Sequence, residues 1–379
     1  MSRQVPQVDP EGLLEYSVVF NDRSLNHMSA VFQQVMRDIS ATLKQTYKAE
    51  GAVVVPGGGS FGMEAVARQL AHDRRCLVIR NGWFSYRWSQ IFDMGRIPSQ
   101  ATILKAGPVS DGRQAAYAPP PVDEVVASIL SEKPEVVFAP HVETASGMVL
   151  PDDYLKAIGD AVDHVGGLFV LDCVASGALW VDMKACGVDV LITAPQKGWS
   201  ASPCAALIAL SGRALERIEQ TTSSSFAADL KKWLNIMRAY EDGGHAYHAT
   251  MPTDTLAILR DAMQETWRTG LDTLKARQWE LGRQVRALFA EAGFRSVAAP
   301  GFEAPGVVVL YTDNIDIHNT RLFREQGIQT AAGVPMMCDE PEDFRTFRVG
   351  LFGLEKLNNI DRTVDNLRQA LTAINPTDR

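Results

Sequence analysis

From about residue 50 to residue 210 this chain repeats one pattern, a short run that is apolar at every position next to a stretch with apolar residues at helical spacing. AVVVP precedes FGMEAVARQLAHD, and CLVIRNG precedes a helical stretch through Tyr86 and Ile91. VDEVVASILSEK is followed by EVVFAPHVET, and YLKAIGDAVDHVG by LFVLD, VDVLITA and CAALIALS. A strand that is apolar throughout must be covered on both faces, and intervening helices let neighbouring strands run parallel. The pattern predicts an α/β fold, a mostly parallel sheet sandwiched by helices. In such sheets ligands bind beyond the carboxyl ends of the strands, so the residues just after each strand carry the functional information.

The alternation stops at the Ser-rich stretch Thr221 to Phe226. A helical pattern then runs from about Thr253 to Leu288 and Phe289, too long for one compact unit, and a break is expected near Gly270. VVVLYT, TFRVGLFG and a closing helix from Glu355 to about Ile374 suit a smaller α/β domain. With 379 residues the chain exceeds one small core. The expected division is a large domain over residues 20–265 and a small C-terminal domain over 266–379, with residues 1–19 packing on the latter. The formal net charge of −8 is spread along the chain, which argues against a nucleic-acid surface. No apolar run approaches the roughly 20 residues of a membrane helix. The first residues, MSRQVPQVDPEG, are too polar for a signal peptide. Five cysteines without a C-x-x-C pair read as free thiols. Together these features predict a cytoplasmic protein without membrane or nucleic-acid partners.

The glycine corner in VVVPGGGSFGMEA joins a strand to a helix start, so its free N–H groups and partial positive charge suit a phosphate. Gly57, Gly59 and Gly62 satisfy G-x-G-x-x-G. A dinucleotide would also need an acidic residue at the end of the next strand; that strand ends in Arg80, which fits only a 2′-phosphate. Two later strand ends decide between the readings. Asp172 follows four apolar residues, and Lys197 lies just past VDVLITA, where desolvation would make its amine nucleophilic. Pyridoxal 5′-phosphate needs all three sites: a phosphate corner, a lysine for a Schiff base, and an acid for its ring nitrogen. The seven histidines offer no standard metal spacing, even if His141 is grouped with His245 and His248.

These residues resemble the class V aminotransferases of fold type I, and most closely their alanine–glyoxylate and serine–pyruvate branch, over roughly residues 20 to 370. The most specific elements are Asp172-Cys173-Val174-Ala175-Ser176, similar to D-x-V-x-S, and Thr193-Ala194-Pro195-Gln196-Lys197, similar to S/T-x-x-Q-K. The resemblance implies a pyridoxal-phosphate transferase fold with a seven-stranded, mostly parallel sheet. It places Gly58, Gly59 and Ser60 against the phosphate and Phe84 on the cofactor ring, with Trp83 beside it as the other candidate. Val174 would cover the opposite face, with Thr144 and Gln196 as polar neighbours. Tyr247 and Thr250, similar to Y-x-x-T, would reach the phosphate of a neighbouring subunit, which implies a homodimer with shared active sites. Arg348, similar to R-I-G-x-x-G, would pair with the substrate carboxylate. The family's opening P-G-P segment is replaced by EYSVVFNDRSLNHMS, so Asn21, Asn26 and His27 could line a differently shaped pocket. Arg87 and Glu143 are expected to support the site.

The implied reaction is transamination from a small amino acid, alanine, serine or similar, to a small 2-oxo acid such as glyoxylate or pyruvate, with Lys197 as base and then acid. Three rivals stay open. Cys338, 10 residues before Arg348, allows a cysteine desulfurase or another pyridoxal-phosphate lyase on the same fold. The glycine loop with Arg80 allows an NADP-dependent oxidoreductase. A non-catalytic protein that merely binds the cofactor is the third.

Overall fold

A computed structural model of the protein describes residues 11–374. Its central sheet contains seven strands: β1 (Gly51–Pro56), β2 (Arg75–Arg80), β3 (Gln100–Lys105), β4 (Val136–Pro140), β5 (Leu168–Asp172), β6 (Val190–Thr193) and β7 (Ala205–Leu210). Their order across the sheet is β1-β7-β6-β5-β4-β2-β3. Only β7 runs against its neighbours, pairing antiparallel with both β1 and β6; every other pair is parallel. The continuous apolar runs are explained by this position. Val53, Leu77, Phe138, Phe169, Leu191 and Leu207 are all inaccessible to solvent.

Helices cover the two faces: α1 (Ala30–Tyr47), α2 (Gly59–Leu70), α3 (Trp83–Gly95), α4 (Val122–Glu132), α5 (Asp152–His164) and α6 (Leu230–Glu241). A helical pair follows, α7 (Thr253–Thr269) and α8 (Leu271–Glu291), parted at Gly270. Gly270 has φ +95°, a conformation costly for any residue with a Cβ, so the helix turns where the sequence places its glycine. The buried side chains change allegiance at this point. Leu256, Leu259 and Met263 of α7 join the sheet core. Leu274, Leu281 and Phe289 of α8 join a second cluster with β8 (Val307–Tyr311) and β10 (Thr346–Gly350), which pair antiparallel. Strand β9 (Ala331–Ala332) pairs with the other edge of β10. The short α9 (Leu354–Leu357) and the closing α10 (Ile360–Ile374) complete this part. The break in the cores supports the proposed division into two domains near residue 266. Of the segment 1–19 assigned to the small domain, residues 1–10 lie outside the described residues. In the remainder, Glu15 and Ser17 both bond to Asn26.

Candidate active site

All six parallel strands end at the same edge of the sheet, and the turns leaving five of them converge on one cleft of about 210 Å³. Gly59, Ser60, Phe84, Thr144, Asp172, Val174, Gln196 and Lys197 line it, together with Met63, Arg87, Val142 and Ala175. At the end of β1, helix α2 starts at Gly59 behind Gly58, which supplies no capping side chain. The first N–H groups of α2 are therefore left for a ligand. A Cβ on Gly59 would lie 2.6 Å from Val174 Cγ2, so only glycine lets the corner close onto Val174. A Cβ on Gly58 would meet nothing within 4 Å, and its backbone faces open space.

After β2, Phe84 lines the cleft, while the Trp83 ring packs on Tyr86 with centroids 5.6 Å apart. Helix α3 is capped by Gly82, which offers no side chain. The missing acceptor comes from the turn after β4. The fully buried Glu143 carboxylate accepts from Phe84 N at 3.2 Å, Ser85 N at 2.9 Å, Ser85 Oγ at 2.7 Å and Ala145 N at 2.9 Å. A carboxylate with four donors at a helix N-terminus is well compensated for its burial. It fixes both Phe84 and the Thr144 turn. On the outer rim, Arg87 Nη1 donates to Ser60 Oγ at 2.7 Å and its guanidinium lies 5.2 Å from the Phe84 ring centroid.

Asp172 ends β5 with a carboxyl that accepts from Val174 N at 2.9 Å. Burial pushes its pKa up to about 6; the Val174 N–H opposes this, Glu143 adds to it, and Arg87 offsets part of it. Among the described residues no cation forms an ion pair with it. Lys197, past β6, has its pKa lowered, first by burial and then by the Arg348 charge. Its Nζ sits 4.6 Å from the Phe352 ring centroid. Arg348 rises from β10, donates Nε to Ala332 O at 2.8 Å, and holds its guanidinium 5.6 Å from the Phe84 ring centroid. Burial lowers its pKa and Glu143 raises it, and among the described residues no carboxylate pairs with it.

Three expected residues lie elsewhere. Tyr247 and Thr250 share a 3.1 Å hydrogen bond on an exposed turn. Asn26 Nδ2 donates to Glu15 at 2.7 Å and Ser17 at 3.1 Å. The two groups adjoin through His27, whose ring is 5.6 Å from Tyr247.

Several alternatives lose their physical basis. Arg80 does not face the glycine corner: it donates to Ser89 Oγ at 2.7 Å and Met337 O at 3.2 Å. Cys338 is only 4% exposed, its Sγ donates to Arg80 O at 3.3 Å, and burial pushes its thiol up to about 12. A nucleophilic cysteine needs the opposite environment. His141 bonds Ser176 Oγ at 2.7 Å, with burial and Lys275 pushing it down to about 3. His248 bonds Phe226 O.

The sequence profile described as Aminotransferase class-V matches residues 11–361. The chain belongs to that family. Among its relatives, the L-aspartate–glyoxylate aminotransferase of Paracoccus denitrificans is 26% identical over 73% of this chain and 67% of its own length. The alanine–glyoxylate aminotransferase of Oryctolagus cuniculus is 27% identical over 92% of this chain and 86% of its own. A solved alanine–glyoxylate aminotransferase from Nostoc sp. superposes with a TM-score of 0.76 at 22% identity, covering 92% of this chain and 89% of that one. The architecture is thus the fold type I transferase fold. Sequence reasoning about this class-V aminotransferase missed Phe352 and Ser200, which act between distant turns. It placed Glu143 and Arg87 only as supports, because Phe84, Ser85 and Ser60, which they bond, are distant in the chain.

Proposed function

We propose that this aminotransferase uses pyridoxal 5′-phosphate to move an amino group from a small amino acid, alanine, serine or similar, to a small 2-oxo acid such as glyoxylate or pyruvate. One observation carries the reading: a desolvated Lys197 amine, a buried Asp172 carboxyl without a cation, and the open corner at Gly58 line or flank a single cleft. Those residues fit the cofactor. Among the described residues Asp172 has no ion-pair partner and Lys197 no hydrogen-bond acceptor, and the first turn of α2 offers N–H groups to a phosphate. The names of the relatives from Paracoccus denitrificans and Oryctolagus cuniculus support glyoxylate as the acceptor.

Gly58, Gly59 and Ser60 would hold the phosphate, with Arg87 reinforcing Ser60. Phe84 and Val174 would bracket the ring, and Thr144 and Gln196 would bond its polar edge. The bound cofactor supplies an electron sink for the substrate's α-carbon. Asp172 would place a negative charge beside the ring nitrogen, where its own burial makes a cationic neighbour favourable. Arg348 takes the substrate carboxylate through two parallel hydrogen bonds and fixes which bond at the α-carbon faces Lys197. The Lys197 amine, which burial and the Arg348 charge bias toward its neutral form, would take the substrate's α-proton as base and later give it up as acid.

We further propose a homodimer whose sites are completed by the partner. Tyr247 is 52% exposed and bonds Thr250 outside its own cleft, and Leu14, Tyr16, Val18 and Phe226 are further large apolar side chains left exposed. A reducing, cytoplasmic setting suits five cysteines that are all free thiols. No helix among the described residues is long and apolar enough to cross a membrane.

The test is a half-reaction screen, in which single amino acids are added to cofactor-loaded protein and the visible absorbance of the bound cofactor is followed. Loss of that absorbance with release of one oxo acid per site is expected. A cofactor-loaded protein inert to every amino acid would overturn the reading.

A further inference from the structure

The Lys197 amine has an unusual neighbour. Among the described residues no oxygen accepts a hydrogen bond from it, and its contact is with the face of Phe352, 4.6 Å from the ring centroid. That ring is closely seated. A Cβ added at Gly306 would lie 3.1 Å from its Cε1, and one at Gly177 3.3 Å from its Cδ1, so that edge of the ring packs against two bare glycine backbones. Gln278 of α8 donates Nε2 to Pro305 O and Leu351 O, each at 3.2 Å, which ties the residue before Gly306 to the residue before Phe352. The two turns are also tied to each other. Ser200, three residues past Lys197, accepts from Leu354 N at 2.8 Å, two residues past Phe352.

We propose that Phe352 is a positioning residue for the acid–base work of Lys197: its ring face receives the amine whenever that amine carries the proton. The inference rests on the proposed role of Lys197 as proton carrier. A carboxylate in this place would bind the ammonium strongly and keep the proton. An aromatic face attracts the cation more weakly, by an amount equal to roughly half a unit to one and a half units of pKa. That is enough to hold the charged amine in position and small enough to let the proton go. The ring thereby opposes burial and Arg348, which both favour the neutral amine. The other charged groups near the cleft are Asp172 at the end of β5, Arg87 on α3 and Glu143 behind the first turn of α3. A substitution at Phe352 leaves the identity of each of these groups unchanged.

The experiment titrates Lys197 in the cofactor-free protein. A trace of acetic anhydride labels amines at a series of pH values, and mass spectrometry reads the extent at Lys197 for wild type, Phe352→Leu, Phe352→Met and Phe352→Tyr. Leucine and methionine fill the slot and exclude water but lack the π face, whereas tyrosine keeps it. The expected result is a midpoint about 0.5–1.5 units lower in the Leu and Met variants and unchanged in the Tyr variant. If Phe352→Leu does not fold, Phe352→Met carries the comparison alone. A midpoint that stays put or rises in the aliphatic variants overturns the proposal, because the ring would then act only by excluding water. Transamination is not read in this assay. A wild-type protein that gives the predicted shifts but transfers no amino group would sink the functional reading and leave the cation seat intact.

Discussion

Asp172→Asn keeps the shape of the side chain, and its amide oxygen can still accept from Val174 N, but the buried charge is gone. Burial raises the Asp172 pKa from 3.8 to about 6 in the folded protein without cofactor. Between those values the folded state holds a proton that the unfolded state has released, so stability falls as pH rises through this window and stays low above it. Two units at about 1.36 kcal/mol each amount to roughly 3 kcal/mol. The Asn variant escapes that cost. At pH 8 the cofactor-free variant should be more stable than wild type by about 3 kcal/mol, and near pH 3.5 the two should converge. With an unfolding entropy of about 2.1 cal/mol/K per residue, the gain corresponds to roughly 4 °C in Tm. Differential scanning calorimetry of both cofactor-free proteins at pH 4, 6 and 8 measures it. Activity should fall at the same time, because asparagine cannot balance a cationic ring nitrogen. An Asn variant less stable than wild type at pH 8 would mean that the carboxylate is already compensated, and the argument for a missing cation would fail.

Arg348→Gln should lower kcat/KM for the amino donor by about 10- to 100-fold, the worth of a charged hydrogen-bonded pair, while leaving cofactor affinity unchanged; steady-state kinetics and a cofactor titration separate the two effects. Glu143→Gln leaves at least one of four buried donors short of an acceptor, so a destabilisation of about 1–3 kcal/mol and weaker cofactor binding are expected in denaturant and fluorescence titrations. Cys338→Ser should retain aminotransfer, and wild type should release no sulfide from cysteine, because that thiol is held up to about 12 and points at a backbone carbonyl.

Much of this structure could be read from the chain because its determinants are local. Strands apolar on both faces predict the covered sheet, Gly270 predicts the helix break, and Asp172 ends a strand that the pattern reveals while Lys197 follows another by four residues. The elements that escaped lack such a signature. Strand β3, QATILK, lies at the sheet edge with a half-exposed burial pattern, so its alternation is faint. Helices α1 and α6 pack against each other over the sheet, where tertiary contact matters more than sequence spacing. The reversed direction of β7 is likewise invisible in AALIAL, since an antiparallel strand buried on both faces looks like a parallel one. In the site, the clasp between Ser200 and Leu354 spans 154 residues, and the seat of Phe352 is built from glycines, which carry no chemical signal of their own.

Everything proposed for the cleft depends on Lys197 bonding the cofactor. The direct measurement is to add pyridoxal 5′-phosphate to the purified protein, reduce with borohydride, digest, and locate the phosphopyridoxyl mass. One adduct per chain on the peptide containing Lys197 is predicted, and none after Lys197→Ala. An adduct on another lysine, or reduced protein without any adduct, would contradict the account.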